Sequence, residues 1–139
     1  MATKFNISSA LLLIALVFIN SAIAEDILFS RETLNGGEFI ENGPYRFIMQ
    51  TDCNLVLYNG NRVLWNSATN GRGTSCRATM QADGNLVILS GTTVVWSSGS
   101  ARGPNDYRLI IQSDGNVVIY GAALWATGTN TNGRARKLL

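Results

Sequence analysis

The stretch Gln-Ser-Asp-Gly-Asn-Val-Val-Ile-Tyr, at residues 112–120, decides the fold because two closely similar stretches precede it. They read QADGNLVIL at residues 81–89 and QTDCNLVLY at residues 50–58, so the copies begin 31 residues apart each time. A Trp follows each copy, at Trp65, Trp96 and Trp125. A fixed period of this length is typical of an architecture built from repeated supersecondary units.

Each copy predicts a β-hairpin whose two faces differ. The third copy has a β-prone run at residues 109–111, turn chemistry at residues 113–115 and a return strand at residues 116–120. Side chains alternate between faces along a strand, so Val117 and Ile119 share one face. The equivalent residues of the other copies are also apolar, namely Leu55, Leu57, Leu86 and Ile88. We therefore expect this face to form the core.

The opposite face carries the polar residues of the motif. In the third copy it holds Asn116, Val118 and Tyr120, with Gln112 and Asp114 beside it. A hexose presents hydroxyls that donate and accept hydrogen bonds, together with a weakly apolar C–H face. Asp accepts such bonds, Asn and Gln do both, Tyr supplies a hydroxyl, and Val offers an apolar contact. This set predicts a sugar site that needs no metal.

Turn formation alone is the alternative explanation for the Asp and Asn of each copy. Asp-Gly is common in hairpin turns. Turn chemistry does not explain why Gln stands two positions before the Asp, or why Tyr stands six positions after it in the first and third copies. The recurrence of the whole pattern favours binding.

The pattern Gln-x-Asp-x-Asn-x-Val-x-Tyr, repeated in this way, resembles the bulb-type (monocot) mannose-binding lectins over about residues 26–133. The resemblance implies an all-β fold, the β-prism II, in which three four-stranded antiparallel sheets are related by pseudo-threefold symmetry. It also implies a metal-independent lectin without a cofactor, which binds mannose and high-mannose glycans, and a role in plant defence. In the family, Asp and Asn bind the axial 2-hydroxyl of mannose, Gln the 3-hydroxyl and Tyr the 4-hydroxyl, while Val contacts C3 and C4.

Transferred position by position, the resemblance predicts three carbohydrate sites. They consist of Gln50, Asp52, Asn54, Val56 and Tyr58; of Gln81, Asp83, Asn85 and Val87; and of Gln112, Asp114, Asn116, Val118 and Tyr120. The second copy ends on Leu89 instead of Tyr, and Leu cannot offer a hydroxyl to a sugar. We therefore expect the second site to be the weakest. The alternative is that a partner subunit covers Leu89.

Other classes of function fit the sequence poorly. A glycosidase needs two carboxylates within about 5–10 Å of each other, whereas each copy of the motif holds a single Asp. The chain has no His, so no Ser–His pair exists for nucleophilic catalysis. A calcium-dependent lectin needs several carboxylates in each site. The remaining alternative is a storage or taste-active member of the same fold that binds no sugar. Such a protein is expected to lose motif residues, and here one position is altered.

Residues 1–24 have the pattern of a secretory signal peptide. Lys4 precedes an apolar run at residues 10–19, and Ala22-Ile23-Ala24 supplies small residues for cleavage. We expect the lectin domain to span residues 25–133 and the last six, 134–139, to form a short tail that is trimmed in similar proteins. The predicted location is the secretory pathway, either extracellular or vacuolar.

The charge of the predicted domain argues against a nucleic-acid partner. Residues 25–133 hold seven arginines and nine carboxylates, a net charge of −2, because the other cations lie in the two terminal segments. A nucleic-acid-binding surface is normally basic. The apolar run near the N-terminus is too short to span a bilayer comfortably, so we expect no membrane insertion.

Cys53 and Cys76 are the only cysteines. In a secreted chain, two cysteines most simply form one disulfide. A zinc site is excluded because two thiols without His are too few ligands. The resembling family carries a disulfide at the matching positions.

The three Trp residues that follow the motifs are expected to pack together at the centre, because an indole buries a large area. Stacking against a sugar is the alternative. Similar lectins dimerise by exchanging C-terminal strands, and residues 123–129 match that strand. The resemblance therefore implies a homodimer or tetramer.

Overall fold

The computed structural model describes residues 25–121 and 125–130, and every regular element in these ranges is a β-strand. The strands are β1 (Ile27–Phe29), β2 (Thr33–Leu34), β3 (Phe39–Asn42), β4 (Tyr45–Met49), β5 (Leu55–Asn59), β6 (Arg62–Asn66), β7 (Arg77–Met80), β8 (Leu86–Ser90), β9 (Thr93–Ser97), β10 (Arg108–Ile111), β11 (Val117–Tyr120) and β12 (Trp125–Ala126). Within those ranges no helix is long and apolar enough to cross a membrane. The predicted signal peptide, residues 1–24, and the tail, residues 134–139, lie outside the described residues.

The strands form three four-stranded sheets. Sheet 1 has the order β3-β4-β5-β6, sheet 2 the order β2-β7-β8-β9, and sheet 3 the order β1-β10-β11-β12. The neighbouring strands pair antiparallel. The predicted all-β fold with three four-stranded antiparallel sheets is confirmed.

The first strands of sheets 2 and 3 come from the N-terminal segment. Sheet 1 is contiguous in the chain, whereas β1 pairs with β10 and β2 pairs with β7. Residues 26–30 and 38–40 are short β-prone runs in the sequence, whereas nothing in the sequence marks the two-residue strand β2. The second repeat supplies β7, β8 and β9 to sheet 2, and the third repeat supplies β10, β11 and β12 to sheet 3. Polar connections precede β7 and β10.

Main-chain hydrogen bonds hold the N-terminal segment against the later repeats. The N–H of Arg31 donates to the carbonyl of Met80 at 2.6 Å, and the N–H of Met80 donates to the carbonyl of Glu32 at 3.0 Å. Near the start of the segment, the N–H of Ile111 donates to the carbonyl of Asp26 at 2.9 Å. The segment therefore ties the second and third repeats to the first.

The core lies between the inner faces of the three sheets, as predicted. The expected core residues, Leu55, Leu57, Leu86, Ile88, Val117 and Ile119, all have 0% of their surface exposed. Phe47 and Met80 from neighbouring strands are equally buried. Since these residues alternate with the motif residues, burying them turns the motif outward.

The three Trp side chains contact one another, as predicted, and each is half-buried against the core. The ring centroids lie 5.6 Å apart for Trp65 and Trp96, 5.5 Å for Trp65 and Trp125, and 5.9 Å for Trp96 and Trp125. All three pairs have an edge-to-face geometry, which aromatic rings prefer over a face-to-face stack. Because the indoles contact one another, they do not form three separate surfaces on which sugars could stack.

The predicted disulfide between Cys53 and Cys76 is present, with an S–S distance of 2.00 Å, and both residues are buried. It joins the turn of the first motif to the residue before β7. The connection between them also contacts this turn directly, because the N–H of Gly71 donates to the carbonyl of Asp52 at 2.7 Å. The disulfide therefore holds the connection and the first motif together.

Reducing this disulfide should lower the free energy of unfolding by about 3 kcal/mol, because the unfolded chain regains the freedom of the closed loop. Denaturant titration of the oxidised and reduced protein measures the change. The double variant Cys53→Ser/Cys76→Ser, with and without reductant, is the control and should not respond to it. Unchanged unfolding of the reduced protein, with both thiols shown free by labelling, would contradict the prediction.

Candidate functional site

The three motifs occupy equivalent places in the three sheets. Each motif strand, β5, β8 or β11, is the third in its sheet and has a neighbour on both sides. The Gln at the end of the preceding strand lies beside the motif Asn, since its N–H donates to the carbonyl of that Asn. The distances are 2.9 Å for Gln50 and Asn54, 2.9 Å for Gln81 and Asn85, and 2.8 Å for Gln112 and Asn116. The structure therefore brings together the residues that the sequence predicted for each site.

The motif Asp stabilises the turn with one of its two carboxylate oxygens. Oδ1 accepts a hydrogen bond from the N–H of the motif Asn, at 2.9 Å for Asp52 and 3.0 Å for Asp83 and Asp114. The residue between Asp and Asn has a left-handed backbone, with φ of 74° at Cys53, 93° at Gly84 and 81° at Gly115. The turn explanation is therefore correct for Oδ1. None of these bonds uses Oδ2, which remains an acceptor for a ligand.

Hydrogen bonds to the side-chain oxygen fix the orientation of the motif Asn. In the third site, Oδ1 of Asn116 accepts from the hydroxyl of Thr127 at 3.0 Å and from the N–H of Gly128 at 2.9 Å. A main-chain N–H can only donate, so the atom that it contacts must be the amide oxygen. The amide nitrogen Nδ2 takes part in neither bond, and its two N–H groups can donate to a ligand.

The same arrangement recurs at the other two motif Asn residues. Oδ1 of Asn54 accepts from the hydroxyl of Ser67 at 3.1 Å, and Oδ1 of Asn85 accepts from the hydroxyl of Ser98 at 3.0 Å. Each of these hydroxyls also accepts from the N–H that follows the Asn, at Leu55 and Leu86. One hydroxyl therefore holds both the side chain and the start of the motif strand.

A second hydroxyl lies beside the first in every site, and because each hydroxyl has a single hydrogen, the two hydrogens are shared among three close contacts. The pairs are Ser67 with Thr69 at 2.7 Å, Ser98 with Ser100 at 2.6 Å, and Thr127 with Thr129 at 2.8 Å. The second hydroxyl of each pair donates to the carbonyl of the left-handed residue in the turn, at Cys53, Gly84 and Gly115. We call these residues the hydroxyl pairs. They connect the end of each hairpin to the turn that carries the Asp.

The repeated motif does not predict the hydroxyl pairs, although their residues are visible in the sequence. Ser or Thr stands at residues 67 and 69, at 98 and 100, and at 127 and 129. The pair follows the motif Asn by 13 positions in the first two copies but by 11 in the third, so it departs from the fixed period. Ser and Thr in polar connections are also common enough that they draw no attention by themselves.

The Gln and Tyr of a complete motif bond to each other. Nε2 of Gln50 donates to the hydroxyl of Tyr58 at 2.6 Å, and Gln112 donates to Tyr120 in the same way. This bond leaves Oε1 of the Gln as an acceptor and the hydroxyl hydrogen of the Tyr as a donor. In the second site Leu89 gives Gln81 no such partner.

The valines of the motif are too deeply buried to offer a ligand a broad apolar contact. Val56 and Val87 each have 2% of their surface exposed, and Val118 has 3%. The sequence pattern placed them correctly on the face opposite the core, but each valine is almost completely buried. A ligand would therefore touch only the rim of the valine and would depend mainly on the polar groups.

Each complete site thus presents two acceptors and two kinds of donor. Asp Oδ2 and Gln Oε1 accept, while Asn Nδ2 and the Tyr hydroxyl donate. Such a set suits a ligand with several neighbouring hydroxyls. Within residues 25–121 and 125–130, no group of three or more His, Cys, Asp or Glu residues could hold a metal ion.

Comparison with known proteins relates the chain to a group of plant lectins. No protein-family profile matches the chain. A monomeric monocot mannose-binding lectin from Gastrodia elata has a similar structure, with 50% sequence identity and a TM-score of 0.75, over 76% of this chain and 99% of the other. The mannose-specific agglutinin of snowdrop (Galanthus nivalis), in complex with methyl-α-D-mannoside, has 47% identity and a TM-score of 0.69, over 76% and 98% of the two chains.

Among curated sequences, a mannose-specific lectin from Galanthus nivalis is 44% identical over 72 residues. This match covers 49% of the present chain and 46% of the relative, so it spans about half the length of both. The solved structures are covered almost completely at nearly half identity or more, and they share the sheet architecture described above. This chain therefore belongs to the monocot mannose-binding lectin family.

Proposed function

We propose that this protein is a lectin that binds mannose and mannose-containing glycans through the three motif faces, without a metal ion. The observation that carries the proposal is the fixed orientation of the motif Asn. Hydrogen bonds to Oδ1 leave the donor end of the amide out of these bonds, and the Asp that bonds the N–H of the same Asn uses only its Oδ1. A donor and an acceptor at neighbouring positions suit a single hydroxyl, which both donates and accepts.

Specificity for mannose would depend on this Asp–Asn pair. Mannose differs from glucose in its axial 2-hydroxyl, which is the group that the pair binds in the family. The snowdrop agglutinin, 47% identical, was crystallised with methyl-α-D-mannoside. The three Asp–Asn pairs of this chain keep the same turn geometry, so all three are able to take the same hydroxyl.

The arrangement favours binding over catalysis. Each site has one carboxylate, and its Oδ1 is already used by the turn. A glycosidase would need a second carboxylate about 5–10 Å away to complete an acid and base pair. The relatives named above are lectins.

Affinity at a single site should be low. A few hydrogen bonds, each contributing about 0.5–1.5 kcal/mol net, must offset the cost of association. The expected dissociation constant for a monosaccharide is about 1 mM, near −4 kcal/mol. Useful binding would come from several sites that engage one branched glycan or one coated surface.

Three further features are part of the same proposal: a role in plant defence, passage through the secretory pathway and self-association. The apolar run at residues 10–19 and the buried disulfide both suit a chain that passes through the secretory pathway, to an extracellular or vacuolar destination. For assembly into dimers or tetramers, residues 123–129 would exchange between copies. In the single chain, the described part of that segment pairs with its own β11, through Trp125 and Ile119 and through Ala126 and Val118.

A glycan array tests the function directly. The full chain should bind mannose-terminated glycans equally well with and without excess chelator, because side chains supply every proposed contact. The control is a triple variant, Asp52→Ala/Asp83→Ala/Asp114→Ala, which should lose binding at all three sites. Binding that disappears in chelator and returns with calcium would contradict metal independence. A silent array for the unchanged protein would favour the storage or taste-active alternative.

The second site should be the weakest, and Leu89→Tyr should strengthen it. The new hydroxyl would restore the partner that Gln81 lacks and add one bond to the sugar, a gain of about two- to tenfold. Titration of methyl mannoside measures the gain in a protein whose other sites are silenced by Asp52→Asn and Asp114→Asn. Leu89→Phe, with the ring but no hydroxyl, is the matched control. If Leu89→Tyr instead dissociates the protein into smaller species, Leu89 lies in a subunit interface.

Thr127→Val should weaken the third site. The methyl group that replaces the hydroxyl cannot donate to Oδ1 of Asn116, so the amide loses part of its fixed orientation. We expect about a five- to tenfold loss of mannoside affinity in a protein with Asp52→Asn and Asp83→Asn. Thr127→Ser keeps the hydroxyl and should retain the affinity. Equal affinities for the Val and Ser variants would show that the hydroxyl pair does not position the Asn.

A further inference from the structure

The turn of the first motif differs from the other two at the position where the backbone is left-handed. This residue, between the motif Asp and the motif Asn, is Cys53 in the first copy and Gly84 or Gly115 in the others. All three have a positive φ, which is 74° at Cys53. Glycine adopts this conformation at no steric cost, whereas the Cβ of other L-residues generally disfavours it. Cys53 therefore holds a conformation that its own side chain opposes.

Main-chain hydrogen bonds around the turn do not distinguish the first copy from the second. The N–H of Cys53 and the N–H of Gly84 each donate to the carbonyl of the motif Gln, at 3.2 Å in both copies. The carbonyl of the motif Asp accepts from an N–H of the connection that follows, at 2.7 Å in both copies. What the first copy has in addition is the disulfide from Cys53 to Cys76.

Cys76 occupies the place in sheet 2 that Tyr45 occupies in sheet 1. Each stands immediately before the arginine that lies opposite the last residue of a motif. Tyr45 packs directly on the turn of the third motif, since a Cβ on Gly115 would lie 2.6 Å from its Cε1 atom. A neighbouring sheet therefore backs both turns, the third by contact with a ring and the first by a covalent bond.

We propose that the disulfide positions the first sugar site by holding Cys53 in the left-handed conformation. The inference rests on the proposed function of that site, in which Asp52 and Asn54 bind one hydroxyl of the sugar. Oδ1 of Asp52 accepts from the N–H of Asn54 at 2.9 Å, across Cys53. Rotation about φ of Cys53 would turn these two residues relative to each other, so the disulfide fixes the geometry of the pair.

Reduction of the disulfide should therefore weaken the first site alone. A dithiol supplies two electrons and two protons, the S–S bond is replaced by two thiols, and the dithiol itself closes to a disulfide. Cys53 then keeps its Cβ but loses the bond that opposes its relaxation to a negative φ. The turns of the second and third motifs contain glycine at this position and no sulfur, so reduction leaves them unchanged.

The experiment isolates the first site within the full chain by Asp83→Asn and Asp114→Asn, which keep the turn-forming Oδ1 acceptor. NMR titration with methyl α-mannoside then compares the disulfide form with Cys53→Ala/Cys76→Ala and with Cys53→Gly/Cys76→Ala. The first variant should bind about five- to tenfold more weakly, because only molecules with a left-handed turn are able to bind. The second variant should bind within about twofold of the disulfide form, since glycine adopts this conformation freely.

The matched control is a background with only the third site, produced by Asp52→Asn and Asp83→Asn. The same cysteine variants should leave mannoside affinity unchanged there, because Tyr45 backs the third turn. A third arm uses the native cysteines. Since both are buried, the protein is incubated at length with dithiothreitol until labelling shows both thiols free. Its first site should then be as weak as that of Cys53→Ala/Cys76→Ala.

Equal affinity of the first site in the disulfide form and in Cys53→Ala/Cys76→Ala would overturn the inference. A glycine variant as weak as the alanine variant would also overturn it, since the left-handed conformation would then not be what the bond provides. Equal loss at the third site would show that the disulfide only stabilises the whole fold. Absence of binding in both backgrounds, with the disulfide intact, would overturn the proposed function and this inference together.

Discussion

The mutual contact of three indoles sets the geometry of the molecule. Trp65, Trp96 and Trp125 meet with ring centroids 5.5–5.9 Å apart, and each comes from the last strand of a different sheet. Each also pairs across its strand with a fully buried residue of the motif strand, at Leu57, Ile88 and Ile119. With the inner face fixed in this way, strand alternation turns the Asn, the Val and the last residue of every motif, Tyr58, Leu89 or Tyr120, toward the opposite face. The outer face is therefore a consequence of how the inner one packs.

Periodicity in the sequence is enough to predict the hairpins, the core residues and the membership of each site. Alternation assigns Val117 to the core and Val118 to the opposite face, and only Val117 joins the hydrophobic core, although both are buried. It does not predict where the N-terminal segment pairs, because β2 has two residues and its partner is remote in the chain. Nor does it predict which end of Asn116 faces outward, since the hydrogen bonds to Thr127 and Gly128 decide this in three dimensions. Local patterns predict local structure, whereas the orientation of a side chain depends on remote partners.

Repetition of a scaffold does not make its three faces chemically equal. The same register places an arginine beside the end of each motif, yet its surroundings are an acid in sheet 1 and a phenylalanine in sheet 3. In sheet 2 the end of the motif is itself apolar, at Leu89. The residues that maintain the fold are the ones that repeat, and those around the rim of each face differ.

The origin of β1 and β2 also has a consequence for how the chain folds as it is synthesised. Sheet 1 uses consecutive strands, so it can assemble from the first half of the chain as soon as that half is available. Sheet 3 is different, because β1 emerges near the start and its partner β10 is made close to the end. Contacts between such distant segments slow folding, since a long loop must close before they form. Until β10 is made, the edge of β1 is unpaired and can pair with strands of other chains. Pairing with the third repeat then covers this edge.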